Sequence, residues 1–330
     1  MKLAIAITAL AGLLAAILLI GYHGFVAVSD LLLTVGWGMV AVSAYHLIPV
    51  MFSSLAWRRV LSNTWRKSLL VFFWARLVRE AVSSLLPVMQ VGGELIGARI
   101  LTFHGAKAGI AGASVVVDLT LGAIAQFFFT LLGLLLMVLL GGPQQTVRWA
   151  AAGLVVAALA LGGFVVAQRK GMFKLFEDFI EKISDKWEWL SLGKIDDLHD
   201  TIQKLYRERR ALLAAGVTHL FSWIISVGEV WLALYFMGSP VSFLEALVLE
   251  SLSQAVKSAA FVVPGALGVQ EGAYMLLGEM LGLTPEMGLA LSLVKRVRDL
   301  LLGIPALLGW QVLESGRLWI RANRRKSDGS

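Results

Sequence analysis

The sequence predicts an all-α polytopic membrane protein with about six full spans and two re-entrant helical hairpins in an inverted-repeat arrangement. Three observations predict it. Hydrophobic residues make up 58% of the chain and charged residues 15%, with mean hydropathy +0.78, a composition too apolar for an ordinary water-facing surface. The apolar residues fall in runs long enough to cross hydrocarbon, which takes about 20 residues of helix because each unpaired backbone group costs several kcal/mol there. Two further apolar stretches each carry a proline near the middle, and charged residues recur around both in the same order.

The first run, 2–22, carries Lys2 at its start and reads as a retained helix rather than a signal peptide, because Gly21-Tyr22-His23-Gly24 is a poor cleavage site. Residues 31–56, 108–140, 147–167, 211–236 and 286–313 supply five more spans. Segments 68–103 and 242–281 are too charged and too glycine-broken for plain spans, and read as hairpins that return to the side they entered. The polar stretch 168–210 between the halves reads as a cytoplasmic amphipathic helical linker. In it Phe173, Phe176, Phe179, Ile180, Ile183 and Trp187 form a helical face suited to a membrane surface, and Leu198, Ile202 and Leu205 form a second helical pattern that folds back. The chain thus divides into an N-terminal membrane half (1–167), the linker, a C-terminal membrane half (211–316) and a basic tail (317–330).

Loop charge orients the spans, since short cytoplasmic loops are enriched in Lys and Arg. Arg58, Arg59, Arg66 and Lys67 place their loop inside, as ten Lys and Arg residues do for the linker and Arg317, Arg321, Arg324, Arg325 and Lys326 for the tail. Loops 23–30, 141–146 and 237–241 hold no Lys or Arg. Every loop is satisfied when both hairpins are re-entrant and both termini are cytoplasmic, as expected of a multi-pass protein of a bacterial inner membrane. The net charge of +7 is therefore topological and does not point to nucleic acid. Cysteine is absent, and the five His show no ligand spacing, so no metal and no cofactor are expected.

The hairpins align on their prolines, Pro87 and Pro264, and a glutamate follows each seven residues on, Glu94 and Glu271. Seven residues before each proline stand Glu80 and Lys257, of opposite sign. A span containing Asp-Leu-x-Leu-Gly follows in both halves, at Asp118 and Asp299. Inverted repeats with broken helices are a common construction of secondary transporters, placing backbone dipoles near the midplane.

Ionisable residues crowd these segments. Insertion scales set each central charge at roughly 2.5–3.5 kcal/mol, so a dozen cannot face lipid and should pair around a shared polar cavity able to take a charged headgroup. Glu94, Arg99, Glu271, Lys257, Arg76, Arg79 and Glu80 are the candidate substrate-binding residues, with Glu94 and Glu271 foremost because each sits where a hairpin turns back. Asp118, Asp299, Arg296, Arg298 and Glu250 are candidates for coupling or for counter-ions. The competing reading is that about half of the set only fixes helix register, as buried ion pairs do in some proteins. Enzyme readings are weaker. There is no G-x-S-x-G elbow, and Asp196-Asp197 reads as a solvated helix face.

At Pro87-x6-Glu94, at Pro264-Gly265-Ala266-Leu267-Gly268-Val269-Gln270-Glu271-Gly272-Ala273 and at Trp57-Arg58-Arg59, the chain resembles the flippase-like family formed by the transmembrane region of lysylphosphatidylglycerol synthases. Within it the chain looks most like the hopanoid-biosynthesis-associated membrane proteins. The resemblance implies a module that moves or presents a membrane lipid between leaflets: a hopanoid, an anionic phospholipid or a polyprenyl phosphate, with lipid-biosynthesis proteins as partners. It does not imply lysyl transfer, because about 20 residues follow the last span here, where the aminoacyl-transferring members carry a soluble catalytic domain. Two positions depart from the pattern: Gln270 stands where a basic residue is frequent, and Val115-Val116-Val117 precedes Asp118 without the frequent Glu-Arg. The alternative is a membrane subunit or scaffold of a lipid-modifying enzyme.

Overall fold

The structure is a computed structural model that describes residues 30, 33–86, 91–141, 143–169, 198–260 and 263–327. The expected span 2–22, the linker face from Phe173 to Trp187 and the proline Pro87 lie outside the described residues. What is described is helical: α1 (Gly38–Val60), α2 (Leu69–Leu85), α3 (Val91–Phe103), α4 (Ala108–Leu139), α5 (Gln144–Arg169), α6 (Leu198–Arg207), α7 (Arg209–Phe236), α8 (Phe243–Ala259), a 3-10 turn (Pro264–Ala266), α9 (Val269–Glu279) and α10 (Pro285–Ser327).

Among the described residues, α1, α4 and α7 are long and apolar enough to cross a membrane. Their outward faces stay apolar: Phe128, Leu131, Leu135 and Val138 on α4, and Leu213, Val217 and Phe221 on α7, are exposed at helical spacing, as lipid-facing stripes are. The expected spans 108–140 and 211–236 match α4 and α7 closely, and 147–167 lies within α5. The last expected span is the start of a helix that continues to Ser327.

Each expected hairpin is a pair of short helices. α2 and α8 have 17 residues each, α3 has 13 and α9 has 11, so by the 1.5 Å rise none is longer than about 26 Å, less than the hydrocarbon core. Local chemistry sets their ends. The Ser68 side chain accepts from the Leu70 amide at the start of α2, and Ser242 and Glu245 form a reciprocal capping box on α8. α2 stops at Leu86, which is extended (φ −100°, ψ 144°), the conformation imposed on a residue that precedes proline. The second break passes through left-handed backbone at Gly265 (φ 61°), Ala266 (φ 47°) and Gly268 (φ 76°).

α1 and α7 pack antiparallel along their length. Tyr45 Oη donates to Ile225 O at 2.9 Å, Ser222 Oγ donates to Pro49 O at 2.7 Å, and Ser53 and Ser222 join at 2.8 Å. α2 and α10 also run antiparallel: a Cβ on Gly303 would meet Leu85 and Ala81, and one on Gly309 would meet the Trp74 ring. α6 buries Leu198, Ile202 and Leu205 in the core that α1 to α4 share, so the second linker pattern docks on the membrane half.

A close backbone contact joins α9 to α10. A Cβ at Gly288 would stand 2.6 Å from Tyr274 O and 2.7 Å from Met275 Cα, and backbone cannot swing aside as a side chain does. Gly288→Ala should therefore lower the unfolding free energy in mixed micelles by about 1–3 kcal/mol, the usual cost of overpacking. Gly272→Ala, with open space at its Cβ, should be neutral or stabilising.

Candidate ionic site between the two helix breaks

Two helices that pack against each other carry the same charge pattern. On α2, Arg76, Arg79 and Glu80 stand at i, i+3 and i+4, and on α10 so do Lys295, Arg298 and Asp299, a spacing that stacks side chains on one helix face. Each triplet is two cations followed by a carboxylate. Around them two buried clusters form.

The first cluster centres on Asp118 of α4. Its Oδ2 accepts from Arg79 at 2.8 Å and from Arg76 at 3.3 Å, and its Oδ1 lies 2.8 Å from His219 Nε2 of α7. Arg79 also pairs with Glu94 of α3 at 2.6 Å, and Arg76 with Glu80 at 2.8 Å. The second cluster centres on Glu229 of α7, which accepts from Arg298 at 2.7 and 2.8 Å. His46 Nδ1 of α1 lies 2.6 Å from both Glu229 Oε2 and Arg298 Nη1. Lys295 donates to both oxygens of Glu250 at 2.8 Å and lies 3.9 Å from Glu229, while Tyr274 Oη donates to Glu250 at 2.5 Å. Arg298 also holds Asp299 at 2.6 Å. Beside this cluster, Arg296 grips Glu271 at 2.5 and 3.2 Å and donates to Gly265 O and Ala266 O of the second break.

One longer contact joins the clusters, His46 Nε2 to Glu80 Oε2 at 3.6 Å. At this joint lies a small cavity lined by His46, Leu77, Glu80, Ala81, Ser84, Asp299, Leu302 and Gly303, with a volume of about 20 Å³. That is room for about one water, with the polar partners a water needs. The second break closes on the end of α2, since a Cβ on Gly265 would lie 3.3 Å from Ser84 O. The second helix break thus meets the end of α2 beside the joint.

The structure brings Arg76, Arg79, Glu80, Glu94, Asp118, Glu250, Arg298 and Asp299 into these clusters, with Arg296 and Glu271 alongside. Arg99 is engaged by Glu314 of α10, tying α3 to α10. Lys257 is half-buried near Asp299 without a direct ion pair among the described residues. The expected headgroup-sized cavity is instead a water-sized one, because the charges satisfy one another. Asp118 and Asp299, alike in sequence, differ in setting: the first is buried beneath two arginines and His219, and the second borders the cavity. Sequence reasoning missed His46, which lacks a neighbour at ligand spacing. The shared triplet of α2 and α10 is the signal that marks the faces His46 joins. Among the described residues no three His, Cys, Asp or Glu side chains are arranged to hold a metal ion.

Comparison with known sequences agrees with this architecture. The profile of the family described as lysylphosphatidylglycerol synthase TM region matches residues 3–306. A UPF0104 membrane protein of Methanothermobacter thermautotrophicus is 23% identical over 238 residues, covering 67% of this chain and 68% of the relative. No solved structure matches the chain.

Proposed function

The chain belongs to the family of the lysylphosphatidylglycerol synthase transmembrane region and is an integral membrane protein, and from that premise we propose that it translocates a membrane lipid between leaflets. The carrying observation is the joint. Two internally paired clusters meet through the 3.6 Å His46–Glu80 contact, beside a polar cavity and where the second helix break closes on the end of α2. A network that parts at the contact joining its clusters exposes Glu80, His46 and Asp299 together, a polar path for a headgroup that closes again when the pairs re-form. The hairpins are read as re-entrant because their helices are shorter than the bilayer core. An anionic phospholipid or polyprenyl phosphate suits the cationic residues of these clusters, a hopanoid with a polar side chain suits the cavity's hydrogen-bonding groups, and a bacterial inner membrane is the setting.

The test is leaflet exchange of fluorescent lipid analogues in proteoliposomes. Glu80→Gln and Asp299→Asn, at the cavity rim, should each slow exchange by about tenfold or more, equivalent to about 1.4 kcal/mol in the barrier. No exchange of any of these lipids by the unaltered protein, or unchanged exchange in both variants, would overturn the proposal. A second reading is favoured by the completeness of the pairing: a network with these internal partners also suits a rigid scaffold for a lipid-modifying enzyme. In that case both variants lose stability while no lipid moves in any form of the protein.

A further inference from the structure

Where α1 ends, Arg58, Arg59 and Arg66 line a second and larger concavity with Leu55 and Ser62, with a volume of about 360 Å³. It lies apart from the ionic clusters, at the boundary where a membrane-crossing helix gives way to a loop. Basic residues at such a boundary normally extend into water as a diffuse charge. Here two of the three are fixed. Arg59 Nη1 donates to Ala214 O at 3.1 Å and to Thr218 Oγ1, both on α7. Arg66 Nε donates to Ser62 O at 2.7 Å. Among the described residues the terminal Nη1 and Nη2 groups of Arg66 remain available, as does the whole guanidinium of Arg58.

No carboxylate lines the concavity among the described residues, and Glu208, close by, is held by Asn63 at 2.7 Å. Pre-set guanidinium groups without an internal counter-ion are the arrangement that takes a phosphate, through paired N–H donors in a fixed fork. The volume falls within the range of small-ligand pockets. The surroundings indicate how the phosphate arrives. Leu55 stands one helical turn into the apolar part of α1, and the exposed stripe Leu213, Val217 and Phe221 runs along α7 beside the residues that anchor Arg59. Apolar surface that starts at the rim and continues down a membrane-crossing helix suits acyl chains.

We propose that this cleft is a discrete site for the phosphate group of an anionic membrane lipid, held by Arg58, Arg59 and Arg66 with the acyl chains along α7. Its occupancy does not depend on translocation, so it stands or falls separately from leaflet exchange.

The experiment is binding of fluorescent phosphatidic acid to the purified full chain in neutral-detergent micelles at about 0.3 M salt, where attraction between exposed charges is largely screened. Arg58→Gln/Arg66→Gln is the test variant, since both side chains are exposed and their loss leaves the α1–α7 contacts in place. Arg209→Gln/Arg210→Gln, exposed on α7, removes equal charge outside the cleft. We expect the cleft variant to bind about thirtyfold more weakly and the control to change by less than about threefold, as charge-assisted contacts exceed diffuse attraction. Equal losses in both variants would overturn a discrete site. Full displacement of the lipid by millimolar inorganic phosphate would overturn the lipid assignment in favour of a free-phosphate site.

Discussion

Glu229→Ala is expected to lower the unfolding free energy by about 3–5 kcal/mol, the cost of stripping one partner from a buried ion pair. Glu229 is 1% exposed and stands between Arg298, His46 and, at 3.9 Å, Lys295. Removing its charge leaves Arg298 with Asp299 as its carboxylate partner among the described residues and takes away the acceptor through which α7 holds α10 and meets His46 of α1. Lys295 keeps Glu250, so the loss falls mainly on Arg298. Adding Arg298→Met should therefore restore part of the stability, with a coupling of about 1–3 kcal/mol in the double-mutant cycle. Denaturant titration in mixed micelles measures both quantities. A loss below about 1 kcal/mol for Glu229→Ala would mean that water reaches the cluster and screens it as at a surface.

How far the sequence discloses this molecule depends on the range of the interaction in question. Long apolar runs are local signals, so α4 and α7 emerge within a few residues of 108–140 and 211–236. The ends of the short helices are also local: Pro87 forces Leu86 out of the helix, and Pro264 with Gly265 and Gly268 turns the chain before α9. Which charge meets which is not local. Spacing shows that Arg76, Arg79 and Glu80 share a face, but the partners Asp118 and His219 come from α4 and α7, placed by helix packing that no short motif encodes. The same limit hid His46, whose partners Glu229 and Arg298 are 183 and 252 residues away. It also misjudged the cavity. Counting buried charges predicts an opening, and the structure shows that they close it by pairing.

Glu94 and Glu271 make the sharpest test of how far the repeat holds in chemistry as well as in pattern. Glu271→Gln should cost about 3 kcal/mol or more, and Glu94→Gln about 1 kcal/mol or less. The Glu271 side chain is fully buried, and its partner Arg296 makes no other ion pair among the described residues. Arg296 also holds the carbonyls of Gly265 and Ala266, where the chain takes left-handed backbone, so a loosened Arg296 loosens the turn that closes on Ser84. The Glu94 side chain keeps 16% of its surface exposed, and its partner Arg79 retains Asp118 at 2.8 Å whatever happens to Glu94. One glutamate thus locks a helix break, and the other sits on an arginine that already has a second acceptor. Unfolding free energies of the two variants, measured side by side, separate these roles. Equal losses would show that the halves use their glutamates alike, and that the asymmetry of partners has no energetic weight. Unequal losses in the stated order leave Glu94 as the glutamate that can release its cation without unfolding the protein, which is what a path opening at the Glu80–His46 joint requires of its neighbour.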